Sequence, residues 1–207
     1  MVNEKNLLCL KCVNELPQTN FAQHANNPVE RIFLGRLPLS FAHSEFFFTK
    51  DSLIQHLIHQ LKYKNNKEIG FYLGECMGKS LLNSNRCNNI DYLIPLPLFA
   101  DKEHKRGYNQ ATILCSGISS VTNISINTKT VFRQRFTETQ TKKHRAERWQ
   151  NVEGSFIIKN KELLNAKHVL LIDDVVTTGA TLESCGRTIL SETNARLSIA
   201  TLAFATK

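Results

Sequence analysis

The sequence predicts an α/β fold with a mainly parallel sheet flanked by helices, and three observations predict it. A run of aliphatics, Val169 to Ile172, reads as a strand buried on both faces, the pattern of a parallel sheet covered by helices on each side. Strand-like segments alternate along the chain with segments whose apolar residues recur at helical spacing, the order that builds strand-helix-strand units. The last apolar stretch, Leu197 to Phe204, alternates apolar and small residues and suits a strand returning to the sheet. At 207 residues, 42% hydrophobic and 21% charged, the chain is long enough for one substantial core plus an appendage. The expected division is an N-terminal appendage over 1–39 and one domain over 40–207.

The elements follow in order. Cys9-Leu10-Lys11-Cys12 is a CxxC, half of a four-ligand zinc site, because the turn sets two thiolates on one tetrahedral ion. The other half is missing, since His24 and His43 lack ligand spacing, and two free thiols are the competing reading. Asn26, Asn27 and Pro28 punctuate the region, and Leu37-Pro38-Leu39 closes it. Phe46-Phe47-Phe48 favours a strand. Thr49 or Asp51 then caps a helix with Ile54, Leu57, Ile58 and Leu61 on one face. His56 and His59 lie three apart on it, and without a third ligand they read as surface histidines. After a turn at Lys62 to Asn66, Ile69, Leu73, Met77 and Leu81 predict a second helix, with glycines 70, 74 and 78 permitting close packing.

Asp91 to Ile94 reads as a further strand, ended by Pro95 and Pro97. Lys102, His104, Lys105, Arg106 and Gly107 follow as a basic loop, suited to pyrophosphate because Lys and Arg pair with several phosphate oxygens at once. The same charges also suit an ordinary helix-flanking surface. A helix with Ala111, Leu114, Ile118 and Val121 inward comes next.

The stretch with the most chemistry is His168 to Thr181. Its apolar strand runs into two adjacent carboxylates, Asp173 and Asp174, then into Val175, Val176 and the small-residue turn Thr177-Thr178-Gly179-Ala180-Thr181. Leu182, Cys185, Gly186, Ile189 and Leu190 then recur as one helical face. A helix N-terminus beyond a parallel strand offers unpaired N–H groups and a positive dipole end, and Gly179 admits a close backbone turn. That end suits a phosphate. The carboxylates repel phosphate and need sugar hydroxyls or a bridging divalent cation. Phosphate beside a diol describes a ribose 5-phosphate.

These residues resemble the 5-phosphoribosyl-1-pyrophosphate (PRPP) motif of type I phosphoribosyltransferases: four apolar residues, two acids, two apolar residues, then the hydroxyl-and-glycine turn. Pro95-x-Pro97 with Lys105-Arg106-Gly107-Tyr108-Asn109-Gln110 is similar to the ComF family, a branch connected with DNA uptake in competent bacteria. So is the stretch from Arg133 to Thr141 that continues to Arg145, Arg148, Asn151 and Phe156. The resemblance spans most of Cys9 to Lys207. It implies the type I phosphoribosyltransferase fold with a zinc-ribbon-like appendage, PRPP bound with Mg²⁺, and transfer of the phosphoribosyl group to a nitrogen acceptor. By it, Asp173 and Asp174 hold the ribose 2′ and 3′ hydroxyls at the centre of catalysis, and the turn through Thr181 wraps the 5-phosphate. Lys105, Arg106 and Gly107 meet pyrophosphate, with Arg145 on a mobile loop. Family members carry two CxxC pairs where this sequence shows one, so either the sequence is truncated or zinc at Cys9 and Cys12 has been lost.

No apolar run is long enough to span a bilayer and no signal sequence opens the chain, which predicts a cytoplasmic protein. Six scattered cysteines do not form a disulfide framework. The net charge is +8, and between Lys129 and Arg148 seven Lys/Arg face two Glu. A basic segment steers polyphosphate or nucleic acid, or is simply a solvated face. Two other functions therefore compete: a non-catalytic, single-stranded-DNA-binding accessory protein of transformation, and an interaction module for competence proteins built on Cys9 and Cys12.

Overall fold

The computed structural model describes residues 7–134 and 155–205. In chain order the elements are α1 (Leu10–Asn14), α2 (Pro28–Phe33), β1 (Leu39–Phe48), α3 (Leu53–Tyr63), α4 (Lys67–Leu82), β2 (Tyr92–Pro95) and α5 (Ala100–Arg106). They continue as α6 (Gln110–Thr122), β3 (Ser125–Ile126), β4 (Val131–Arg133), β5 (Phe156–Ile158), β6 (His168–Val176), α7 (Ala180–Glu192) and β7 (Arg196–Ala205). Five strands pair in the order β1-β7-β6-β2-β3, every pair parallel, while β4 and β5 form a separate antiparallel ribbon. The fold is thus the parallel α/β sheet the sequence predicts.

A strand sends successive side chains to opposite faces, so a strand apolar at every position builds two cores at once. Leu170 and Ile172 of β6 enter one core with Leu57 and Leu61 of α3, Met77 of α4 and Leu114 of α6. Val169 and Leu171 enter the other, with Val29 and Phe33 of α2, Cys185 and Ile189 of α7, and Val131 and Phe156 of the ribbon. Part of the segment before residue 39 is therefore built into the domain, Val29 and Phe33 being almost fully buried.

Local chemistry sets the ends of the helices. Asn27 caps α2, its side chain accepting from Val29 N (3.0 Å) and Glu30 N (3.1 Å), with Pro28 in the first turn. Ser52, neither Thr49 nor Asp51, caps α3 by accepting from Gln55 N at 3.3 Å. Asn109 starts α6 and also donates to the Leu96 carbonyl at 2.9 Å, tying the helix to the end of β2. The basic segment after β2 is not a loop. It folds as α5, which buries none of its residues and closes at Gly107 with φ 79°. Acids in its first turn and His104, Lys105 and Arg106 in its last complement the helix dipole, a signal the charge pattern carries.

Candidate functional site

The order of strands creates a crevice. From β6 the chain passes through α7 to β7 on one side, and from β2 through α6 to β3 on the other. Where neighbouring strands send their connections apart, the space beyond their carboxyl ends is open to a ligand. The last β2 residue, Pro95, pairs with Ile172, and Leu96 N donates to the Ile172 carbonyl at 2.8 Å. One residue later come Asp173 and Asp174. On its other side β6 stays paired with β7 through Asp173↔Thr201 to Val176↔Phe204, so the acids lie on a strand open along one edge. The strand runs on past the acids through Val176.

Alternation along β6 separates the two carboxylates. Asp173 continues the face of Val169 and Leu171, toward α7 and β4, and Asp174 continues the face of Leu170 and Ile172, toward α3. Lys62 bears on both acids. Asp174 Oδ2 lies 2.7 Å from Lys62 Nζ, with side-chain exposures of 14% and 21%. Asp173 is influenced by the Arg133 guanidinium of β4 and by Lys62, and its Oδ1 accepts the Asp174 N–H at 2.8 Å. Burial and the adjacent Asp174 push the Asp173 carboxyl up to about 7, with the Asp174 amide, Lys62 and Arg133 pulling back. The Arg133 guanidinium stacks on Phe99 at 3.8 Å and faces Phe156 at 5.2 Å; its Nε is buried without a hydrogen-bond partner among the described residues.

Beyond the acids the chain turns through Thr177, Thr178 and Gly179 into α7. Gly179 has φ 73°, and a Cβ there meets Ile32 Cγ2 and Phe33 Cε1 at 2.8 Å, so glycine is required both for the left-handed turn and for the contact with α2. Arg36 holds the turn from outside: Nη1 donates to the Thr178 carbonyl at 2.9 Å, and the guanidinium pairs with Glu183 in the first turn of α7. No side chain caps α7 at Gly179. Ala180 N donates to Thr178 Oγ1 at 3.5 Å, and the turn borders a small open hollow of about 70 Å³, lined by Asp173 and by residues 175 to 182. Asp174 does not line it; Asp174 looks across the strand to Lys62.

The end of α3 links this hollow to the basic helix. Tyr63, next to Lys62, lies under the Arg106 guanidinium at 5.6 Å. Tyr108 donates its hydroxyl to the Leu61 carbonyl, and Lys67 sits over the Tyr108 ring at 5.0 Å. Arg106 is thereby joined to the acid pair through Tyr63 and Lys62, and Nη1 also donates to Gln110 Oε1 at 2.7 Å. Lys105 and Gly107 are exposed beside it. Arg145 lies outside the described residues.

Residues 105–207 match the phosphoribosyl transferase domain family. The chain is 26% identical to competence protein F of Haemophilus influenzae over 194 residues, 88% of this chain and 84% of that protein. The relatives thus bear out the resemblance to the ComF family.

The chain is also 30% identical to the DNA utilization protein YhgH of Shigella flexneri over 137 residues, and 34% identical to competence protein ComFC of Bacillus subtilis over 103 residues. The first match covers 65% of this chain and 60% of the relative, and the second 48% and 38%. The chain thus spans less than two thirds of the DNA utilization proteins it matches. Among solved structures it is similar to the glutamine PRPP amidotransferase of B. subtilis, with 13% identity, a TM-score of 0.48, and coverage of 69% of this chain and 30% of that one.

Cys9 and Cys12 stand apart from this crevice. They contact each other through their thiols, Cys9 exposed, and among the described residues no group of three His, Cys, Asp or Glu forms a metal site. A zinc shell is therefore not completed by the described residues. Among the described residues no helix is long and apolar enough to cross a membrane. Lys62, Arg36 and Arg133 are site residues that the sequence does not announce. Their charges are visible in it, but each reaches the site from a distant element, and only Arg133 lies within a motif.

Proposed function

We propose that this protein binds PRPP with Mg²⁺ in the crevice beyond β6 and transfers the phosphoribosyl group to a nitrogen acceptor, in the service of DNA uptake or use. The observation that carries the proposal is the meeting of two carboxylates and an uncapped helix N-terminus at one open strand end. The amides of the 177–181 turn bind the 5-phosphate, with the threonine hydroxyls as further donors. A ribose laid across the open edge of β6 meets Asp173 from one face and Asp174 from the other, each accepting from a ring hydroxyl. Arg106, with Lys105 beside it, faces the pyrophosphate on C1 from the α5 side.

In the reaction the C1–oxygen bond to pyrophosphate breaks, the acceptor nitrogen forms its bond to C1, and the nitrogen loses a proton. Positive charge develops on the ribose ring, and the nearby carboxylates stabilise it while the basic helix holds the departing anion. Two carboxylates beside a polyphosphate fit Mg²⁺, which takes one or two protein carboxylates plus substrate oxygens and supplies charge neutralisation of the leaving group.

The names of the relatives, competence protein F and DNA utilization protein, support a place in DNA metabolism. The exposed Lys102, His104 and Lys105 on α5 support a second, compatible reading in which this face contacts nucleic-acid phosphates. Pyrophosphate release from PRPP and Mg²⁺, measured against a panel of nitrogen acceptors from ammonium to nucleobases, tests the transfer. Release that depends on one acceptor class and disappears in Asp173→Asn supports it; release no greater than in that variant with every acceptor contradicts it.

A further inference from the structure

We infer that Lys62 is a positioning residue of this site: it ties Asp174 to the end of α3 and so sets the direction in which that carboxylate meets a ribose hydroxyl. The inference rests on the PRPP reading above. Adjacent residues of a strand point apart, so β6 leaves Asp174 on the α3 face, off the hollow that Asp173 lines. The 2.7 Å pair with Lys62 fixes it there, and both side chains are mostly enclosed. An ion pair of this kind has a defined geometry because neither partner has solvent to turn to.

Lys62 is itself fixed from both sides. The preceding carbonyl, on Leu61, accepts the Tyr108 hydroxyl, and the following ring, Tyr63, is covered by Arg106. Tyr108 and Arg106 both belong to the junction of α5 and α6. The acid that receives a ribose hydroxyl and the base that faces pyrophosphate are thus held in register through three consecutive residues at one helix end.

The test uses the full chain and two variants, Lys62→Met, which keeps length and loses charge, and Lys62→Arg, which keeps charge. Each is made with and without Asp174→Asn, and the affinity for PRPP with Mg²⁺ is read by calorimetry. Lys62→Met is expected to weaken binding at least tenfold, Lys62→Arg to restore most of it, and Lys62→Met to add no further loss in the Asp174→Asn background. Wild-type affinity in folded Lys62→Met overturns the inference, and so does a further loss of equal size in the double variant, which marks a role independent of Asp174. Failure of the wild type itself to bind PRPP overturns the functional reading on which the inference rests.

Discussion

At the residue scale, the tightest requirement is Gly179. An alanine there must hold φ 73° and place its Cβ 2.8 Å from Ile32 and Phe33. Gly35 has nearly the same φ, 71°, but a methyl group added there meets no atom within 4 Å. The left-handed conformation alone costs an L residue about 1–2 kcal/mol. Denaturant titration is expected to show about that loss for Gly35→Ala, and about 1–3 kcal/mol more for Gly179→Ala because α2 or the turn must move. Equal losses in the two variants contradict the packing account. Two buried groups on β1 give a second prediction. Burial pushes the Glu45 carboxyl up to about 7, opposed by the Ser80 hydroxyl at 2.9 Å, and pushes the His43 ring down to about 4, helped by Arg86. The signs oppose. The folded Glu45 holds its proton more tightly than the unfolded one, so its contribution is full below 4.5 and is lost as pH rises to about 7. The folded His43 holds its proton less tightly, so its contribution is full above 6.5 and is lost as pH falls toward about 4. Stability against pH is expected to slope more steeply upward between 4.5 and 7 in Glu45→Gln than in the wild type, and to slope downward in His43→Phe. Parallel curves for all three proteins contradict both assignments.

At the element scale, the pairing of α4 with α6 depends on backbones in contact. A Cβ on Gly117 runs into the Phe71 carbonyl oxygen, and one on Gly74 into that of Leu114, both far inside contact distance. Gly117→Ala is expected to cost about 3 kcal/mol, since two helices and not one side chain must part. A loss under about 1 kcal/mol by chemical denaturation contradicts this packing. Half of that contact is legible in the sequence: glycines 70, 74 and 78 fall at helical spacing on an otherwise apolar face, whereas Gly117 sits alone in α6 with no periodic signal. The same division runs through the site. The strand, acids, turn and α7 are readable because they are contiguous and their spacing follows from strand and helix geometry. Residues 102–106 read as a loop because their basic charge dominates the pattern, while Asp101 and Glu103 in the first turn and Gly107 at the end mark a helix. Lys62 and Arg36 are invisible as site residues because pairs such as Lys62–Asp174 and Arg36–Glu183 are separated by more than a hundred positions and are made by topology alone.

At the scale of the whole molecule, the parallel order β1-β7-β6-β2-β3 decides where chemistry can occur. It opens the crevice between β6 and β2, sets the N-terminus of α7 on one side, and brings α3 and α5 to the other. Both cores converge on β6, whose carboxyl end opens into the crevice. The central claim is that this end binds PRPP through its two acids. Calorimetric titration with PRPP, with and without Mg²⁺, on the wild type and on the double variant Asp173→Asn/Asp174→Asn tests it most directly. The account predicts Mg²⁺-dependent binding to the wild type and none to the folded double variant; equal affinity in both, or no binding to the wild type at millimolar PRPP, contradicts it.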